Sequence, residues 1–351
     1  MTPHFLAVHH DIDERLHHYL EKVVPSITSH TSVAYVKASA AYLEKLALGG
    51  KRVRGYCVVG MYETVGGKNY DAILNTAVAM ELFHLFALIQ DDVMDKATTR
   101  RGIATMHNFT ENWLREQKRQ GDLAHVSQSQ AILWGDFLLA LSQSKLQASG
   151  FTGKKLTQAL GIFSRMFTEV VVGQMIDVDM VTHALVSEVE LQEKNLLKSA
   201  LYTFVRPMQI GASLAGGSLS LMQDIEVFGT ALGIAFQIQD DLFDLTLSED
   251  AMHKPVLNDV RAGSHTLFSH YVLKHATEAQ KNILKRAFGA TMTMGEETHV
   301  RQVFHDSGAI QHGTEVMTSY FQQAEKAVKA FPSSKQQQWH DLIDLVRNRV
   351  S

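Results

Sequence analysis

Five prolines in 351 residues leave little to interrupt a helix, and apolar residues recur with a helical period along nearly the whole chain. Proline removes a backbone donor and crowds the preceding turn, so the scarcity of Pro3, Pro25, Pro207, Pro255 and Pro332 favours long helices. No run of alternating residues argues for a strand. The periodicity predicts helices at about 5–23, 32–46, 53–65, 71–95, 129–148, 156–181, 188–215 and 221–245, then near 266–275, 279–288, 313–330 and 335–349. A kink is expected at Pro207. Gly49-Gly50, Gly66-Gly67 and Gly216-Gly217 mark short breaks, and the polar stretch 110–128 reads as a solvated loop or helix edge. No low-complexity linker divides the chain. The expectation is an all-α protein, one domain over 1–351, built as a single large helical bundle.

A formal charge of -4 argues against a dominant basic surface for nucleic acid, so any anion must be held by local clusters. Cys57 is the only cysteine and sits in the apolar stretch Tyr56-Cys57-Val58-Val59, where a small buried hydrophobe is expected. No disulfide can form within the chain, which fits a cytoplasmic protein. Residues 1–10 lack a basic start and a long apolar core, so no secretory signal is expected. The most apolar stretch, 72–89, is interrupted by Asn75, Glu81 and His84 and reads as a buried helix, not a membrane span.

One internal echo outweighs any composition figure. Residues 89–95 read Ile-Gln-Asp-Asp-Val-Met-Asp and residues 238–244 read Ile-Gln-Asp-Asp-Leu-Phe-Asp, each at the end of a long apolar helical pattern. Four-residue spacing puts Asp91 over Asp95, and Asp240 over Asp244, on one helix face. Like charges so placed repel, and at a helix C-terminus they also oppose the dipole. A hard dication removes both penalties. Mg²⁺ prefers oxygen ligands and shares its shell with water and substrate phosphates, so two such clusters leave room for a diphosphate.

Cations follow. Gly49-Gly50-Lys51-Arg52-Val53-Arg54-Gly55 joins two helices and places Lys51 and Arg54 at a helix start, a ready anion site. Arg100-Arg101-Gly102 comes four residues after the first aspartate cluster, and arginine offers bidentate recognition of phosphate. Lys198-Ser199 lies in an otherwise apolar helix, Gly173-Gln174 and Asp177 on another, and Gln237 just before the second cluster. Taken singly, Gln174, Asp177, Gln237 and His84 read more readily as satisfied core polar residues than as site residues, and Lys198 as either snorkelling or meeting an anion.

Together the segments GGKRVRG, ELFHLFALIQDDVMD, RRG, GQMID, KSALYTF, FQIQDDLFD and KPVLND…GSHTL, in order from Gly49 to Leu267, resemble the trans-prenyltransferases, or polyprenyl diphosphate synthases. The resemblance implies an isoprenoid-synthase bundle around a deep apolar cavity, and Mg²⁺-dependent condensation of isopentenyl diphosphate with an allylic diphosphate. It implies Asp91, Asp95 and Asp240 as direct ligands of three Mg²⁺ ions, supported by Asp92, Asp241 and Asp244. Arg100, Lys198 and Lys254 would hold the allylic diphosphate; Lys51, Arg54, His84 and Arg101 would hold that of isopentenyl diphosphate. Ser199, the Lys198 carbonyl and Gln237 would face the carbocation. A homodimer is also implied.

The chain departs from the family at Gly55, where proline is usual, at Gln90, often histidine, and at Ser264, commonly lysine. Phe86, with Ala87 beside it and Phe83 a turn back, sits where bulk would limit the product, which resembles C15–C20 synthases and leans to C20. Two other readings stand beside this one. A non-catalytic subunit of a heteromeric synthase would be expected to have lost an aspartate motif, and a class I terpene cyclase to carry a different second motif.

Overall fold

The computed structural model describes residues 2–247 and 256–349. Its helices fall into two compact units, residues 1–160 and 161–351. The first holds α1 (Pro3–Thr28), α2 (Ala34–Ala47), α3 (Val53–Thr64), α4 (Tyr70–Met94), α5 (Met106–Glu116) and α6 (Leu123–Gln147). Helix α4 packs on α1, α3 and α6. Fifteen of its residues are buried on every side, as a helix without a polar face must be. Asn69 caps it by accepting from the Ala72 N–H, and Asp122 caps α6 in the same way through His125. Of the polar stretch 110–128, expected as a solvated loop or helix edge, residues 110–116 form the C-terminal part of α5 and 117–122 the connection to α6. The exposed residues of α5 are polar, and Met106, His107 and Thr110 supply its buried side.

Helix α7 (Gly153–Met180) carries the division between the units. The second unit continues with α8 (Glu188–Lys194), a π-helix (Asn195–Val205), α9 (Arg206–Ala215) and α10 (Leu219–Thr246). Among the described residues there follow α11 (Asn258–Ala262), α12 (Leu267–His275), α13 (Glu278–Ala287), α14 (Met294–Asp306), α15 (Ala309–Ala327) and α16 (Gln336–Arg347). Helix α10 is central, packed against the π-helix and α15. Its far side meets the aromatic group Phe228, Phe331 and Trp339, with ring centroids 5.3–5.8 Å apart. The periodicity predicted one helix over 188–215. The widened π-turns come just before Pro207, which enters at the start of α9, so the chain accepts proline between segments. Helix α14 escaped the periodic reading because Gly295 and Gly308 flank only three buried residues, Val300, Val303 and Phe304.

Among the described residues three helices, α4, α7 and α10, are long and apolar enough to cross a membrane, including the stretch judged too polar from sequence. Within α4 78% of that apolar window is buried inside the protein, against 28% for α7. The apolarity of α4 is therefore consumed by the core, while α7 leaves Val172, Met175 and Val178 exposed.

Candidate active site

The first aspartate cluster closes α4. Asp91 is half-buried, Asp92 buried, and Asp95 is the exposed C-cap whose N–H donates to the Asp91 carbonyl at 2.8 Å. His84 lies two turns earlier on the same face as Asp91. Arg100 reaches back: its Nε donates to Asp92 Oδ1 at 2.8 Å, and its Nη2 lies 2.7 Å from that oxygen and 3.5 Å from Asp91 Oδ2. Burial pushes the Asp92 carboxyl up, and the Arg100 guanidinium works against this. A two-stranded hairpin aims Arg100, pairing β1 (Thr99–Arg100) with β2 (Ile103–Ala104). Its two-residue turn puts Arg101 at φ 51° and Gly102 at φ 76°, the left-handed pair such a turn needs. Strands of two residues leave no alternating pattern, so periodicity could not show them.

Burial first, then Arg54, Arg101, Arg100 and Arg52, hold the His84 imidazole well below the ordinary histidine range. It is neutral at pH 7, within the field of four guanidinium groups. Three of those guanidiniums were singled out in the sequence; Arg52 was not, and its role is local. It is buried at φ 51°, donates to the Ala47 carbonyl at 2.6 Å, and pairs with Asp13 at 2.5 Å and Glu81 at 3.4 Å. Glu81 also accepts the Gly55 N–H at 2.9 Å. Proline has no N–H to give, which accounts for the departure at Gly55. Lys51, by contrast, is exposed. Gln90 donates to the Ile132 carbonyl and Asp136 of α6, contacts that tie two helices together.

The second cluster closes α10. Ser199 of the π-helix donates to Gln237 Oε1, and Gln237 Nε2 donates to Asp241 Oδ1 at 2.7 Å. The other oxygen, Asp241 Oδ2, is buried and has no hydrogen-bond partner among the described residues. Burial pushes this carboxyl up to about 6, with Asp240 and Asp244 adding to the rise and Lys194 and Gln237 opposing it. Asp244 is committed to the chain itself: it accepts from Asn258 Nδ2 at 3.2 Å and from the Asp259 N–H at 3.1 Å. Asp240 pairs with Arg349 at 2.7 Å. Sequence reading assigned nothing so far along the chain. Arg349 stacks over Phe236, 3.7 Å from its centroid, and donates to Gln239 Oε1 and the Phe236 carbonyl. No local motif announces it, because the contact is made 109 positions from its partner.

Lys198 donates to Asp177 Oδ2 at 2.6 Å, and Lys194 lies 3.2 Å from Asp177 Oδ1. Burial alone would raise the Asp177 carboxyl; the two ammonium groups outweigh it and hold it at about 2. Gly173 explains its own place in GQMID, since a Cβ there would stand 2.4 Å from the Lys198 backbone nitrogen. On α10, a Cβ at Gly233 would stand 2.4 Å from Ala200 Cα. The π-helix is seated on these two bare backbones. Phe83 and Phe86 meet edge to face at 5.3 Å and are buried, with Ala87 half-buried beside them. Lys254 lies outside the described residues.

Among the described residues no three acidic or imidazole groups converge into a ready-made metal cage. The donor set still fits Mg²⁺: paired carboxylates, one with a buried oxygen that no described residue bonds, suit a cation that takes the rest of its shell from water and phosphate.

The sequence model of the polyprenyl synthetase family matches residues 36–306. The geranylgeranyl diphosphate synthase of Sulfolobus acidocaldarius is 30% identical over 285 residues, 80% of this chain and 81% of that protein. A short chain isoprenyl diphosphate synthase of Methanothermobacter thermautotrophicus is 28% identical over 90% of each chain. A Corynebacterium glutamicum geranylgeranyl pyrophosphate synthase, crystallised with isoprenyl diphosphate and magnesium, superposes with a TM-score of 0.90 at 28% identity over 98% of each chain. With a whole-chain match in fold and both aspartate clusters in their expected order, the chain belongs to the polyprenyl synthetase family.

Proposed function

We propose that the protein is a short-chain prenyl diphosphate synthase making a C20 product from isopentenyl diphosphate and an allylic diphosphate. The observation that carries this is the repeated aspartate cluster, each copy ending a long apolar helix with cations beside it. The family match crosses the boundary between the two compact units, which supports reading 1–351 as one domain.

Asp91, Asp95 and Asp240 would hold Mg²⁺, three ions when the allylic diphosphate is bound, with Asp92, Asp241 and Asp244 keeping them in place. The metal supplies charge neutralisation on the departing diphosphate. Arg100 and Lys198, with Lys254, grip the allylic diphosphate, whose C–O bond breaks to give pyrophosphate and an allylic cation. Lys51, Arg54, Arg101 and neutral His84 orient the isopentenyl diphosphate. The π-electrons of its double bond attack the cation, and the proton then lost goes to the released pyrophosphate. Ser199 Oγ, the Lys198 carbonyl and Gln237 turn oxygen lone pairs toward the positive carbon. Apolar walls exclude water, which would otherwise capture the cation. Phe86, backed by Phe83 and Ala87, forms the floor that stops elongation.

The exposed stripe Val172, Met175 and Val178 on α7 supports a homodimer that covers it. The lone buried thiol supports a cytoplasmic location. The test is incubation with Mg²⁺, labelled isopentenyl diphosphate and dimethylallyl, geranyl or farnesyl diphosphate, then chromatography of the dephosphorylated alcohols. A C20 alcohol that disappears with EDTA is expected; no elongation from any primer would overturn the reading.

A further inference from the structure

Arg52 stands at the start of α3 in the left-handed region, at φ 51°, and no side chain caps that helix start. A residue with a Cβ keeps such a backbone only where its surroundings fix it. Here part of the fixing comes from α1. His9 Nε2 donates to the Gly50 carbonyl at 2.8 Å, and Asp13, one turn further along the same helix, meets Arg52 Nε at 2.5 Å. His9 Nδ1 lies 3.5 Å from the second Asp13 oxygen. Helix α1 therefore grips the turn between α2 and α3 at two neighbouring points.

The same turn holds Arg101. Arg52 donates to the Ala47 carbonyl at 2.6 Å and Arg101 to the Leu48 carbonyl at 3.0 Å, so consecutive carbonyls each carry a guanidinium. Gly50 lies against both: a Cβ there would stand 2.8 Å from Arg52 Nη1 and 3.4 Å from Arg101 Nη2. A bare backbone lets two cations come this close, and their repulsion has to be met. After burial, Arg52 is the charge that most lowers the Arg101 guanidinium, and Glu81 opposes it. Glu81 reaches Arg52 at 3.4 Å and Asp13 at 2.5 Å, so the shorter of these two ion pairs comes from α1. The Arg52 side chain is 5% exposed, so water does little to screen it.

We propose that Asp13 is a positioning residue for the isopentenyl diphosphate site: by neutralising Arg52 it fixes the turn at 47–52, and the turn aims Arg101 at the diphosphate. The proposal rests on the synthase reading above, which gives Arg101 that role. Asp13→Asn, Asp13→Glu and Asp11→Asn are compared with wild type by titration calorimetry with isopentenyl diphosphate alone, and by KM for isopentenyl and farnesyl diphosphate. Asp11 is the control, since it lies on the same helix and accepts from the Tyr70 hydroxyl at 2.7 Å, away from the turn. Asp13→Asn should weaken isopentenyl diphosphate binding and raise its KM by about tenfold, with the farnesyl KM unmoved. Asp13→Glu, which restores the charge, should recover most of that loss, and Asp11→Asn should show none of it. Unchanged isopentenyl binding in Asp13→Asn, an equal rise in both KM values, or the same loss in Asp11→Asn would overturn the proposal. His9→Phe, which removes the tie to the Gly50 carbonyl beside Phe5, makes the same comparison if Asp13→Asn does not fold. A wild-type protein that binds isopentenyl diphosphate but extends no primer would sink the synthase reading, while the calorimetric comparison still decides the role of Asp13. A wild-type protein that binds none would overturn both.

Discussion

At the scale of single residues, the charges near the aspartate clusters are shared: Arg100 reaches two aspartates and Asp177 two lysines. Asp92 is buried and held by Arg100, so Arg100→Met strands a carboxylate. Stability should fall by about 1–3 kcal/mol, read by urea denaturation, and kcat/KM by at least about a hundredfold. Asp177 gives a pH signature. Its folded pKa of about 2 lies below the ordinary value of 3.8, so its contribution is complete above pH 4 and is lost as pH falls toward 2. Asp177→Asn should cost roughly 2 kcal/mol at pH 7, with the gap to wild type closing near pH 2 in denaturation curves. The aspartates themselves were legible from sequence because repetition made them improbable as surface residues. Arg349 and Lys194 were not, since each is defined by what a distant part of the chain brings to it.

At the scale of elements, a long apolar helix writes its period into the sequence, and α4 and α10 were read almost to their ends. The features that aim the chemistry were harder. A π-helix keeps an apolar pattern that imitates an α-helix, and the Arg100 hairpin is too short to alternate. Gly173 and Gly233 are the trace that the π-helix leaves, visible only once its backbone is seen against theirs. Gly173→Ala or Gly233→Ala should each cost about 1–3 kcal/mol in melting experiments and shift Lys198 or Ser199 enough to lower kcat. On α4 the test is Phe86→Ala. It should lengthen the product by one or more isoprene units on chromatography, whereas an unchanged product would assign the floor to another residue.

At the scale of the whole molecule, the predicted all-α architecture is the observed one, while the proposed dimer rests on the exposed stripe of α7. Met175 is 64% exposed between Val172 and Val178. Met175→Glu should convert a dimer to a monomer in sedimentation velocity, with the helical circular dichroism unchanged; a wild-type protein already monomeric would count against the interface. The buried cysteine bears on how such an assembly can be watched. Cys57 has no exposed surface, and burial pushes its thiol far above the ordinary cysteine range, so it resists alkylation and coupling. A cysteine introduced at Met294, 85% exposed on a helix remote in sequence from either aspartate cluster, would be the sole reactive thiol. A single nitroxide or fluorophore could then be attached without first removing any native residue, and the protein becomes its own spectroscopic ruler.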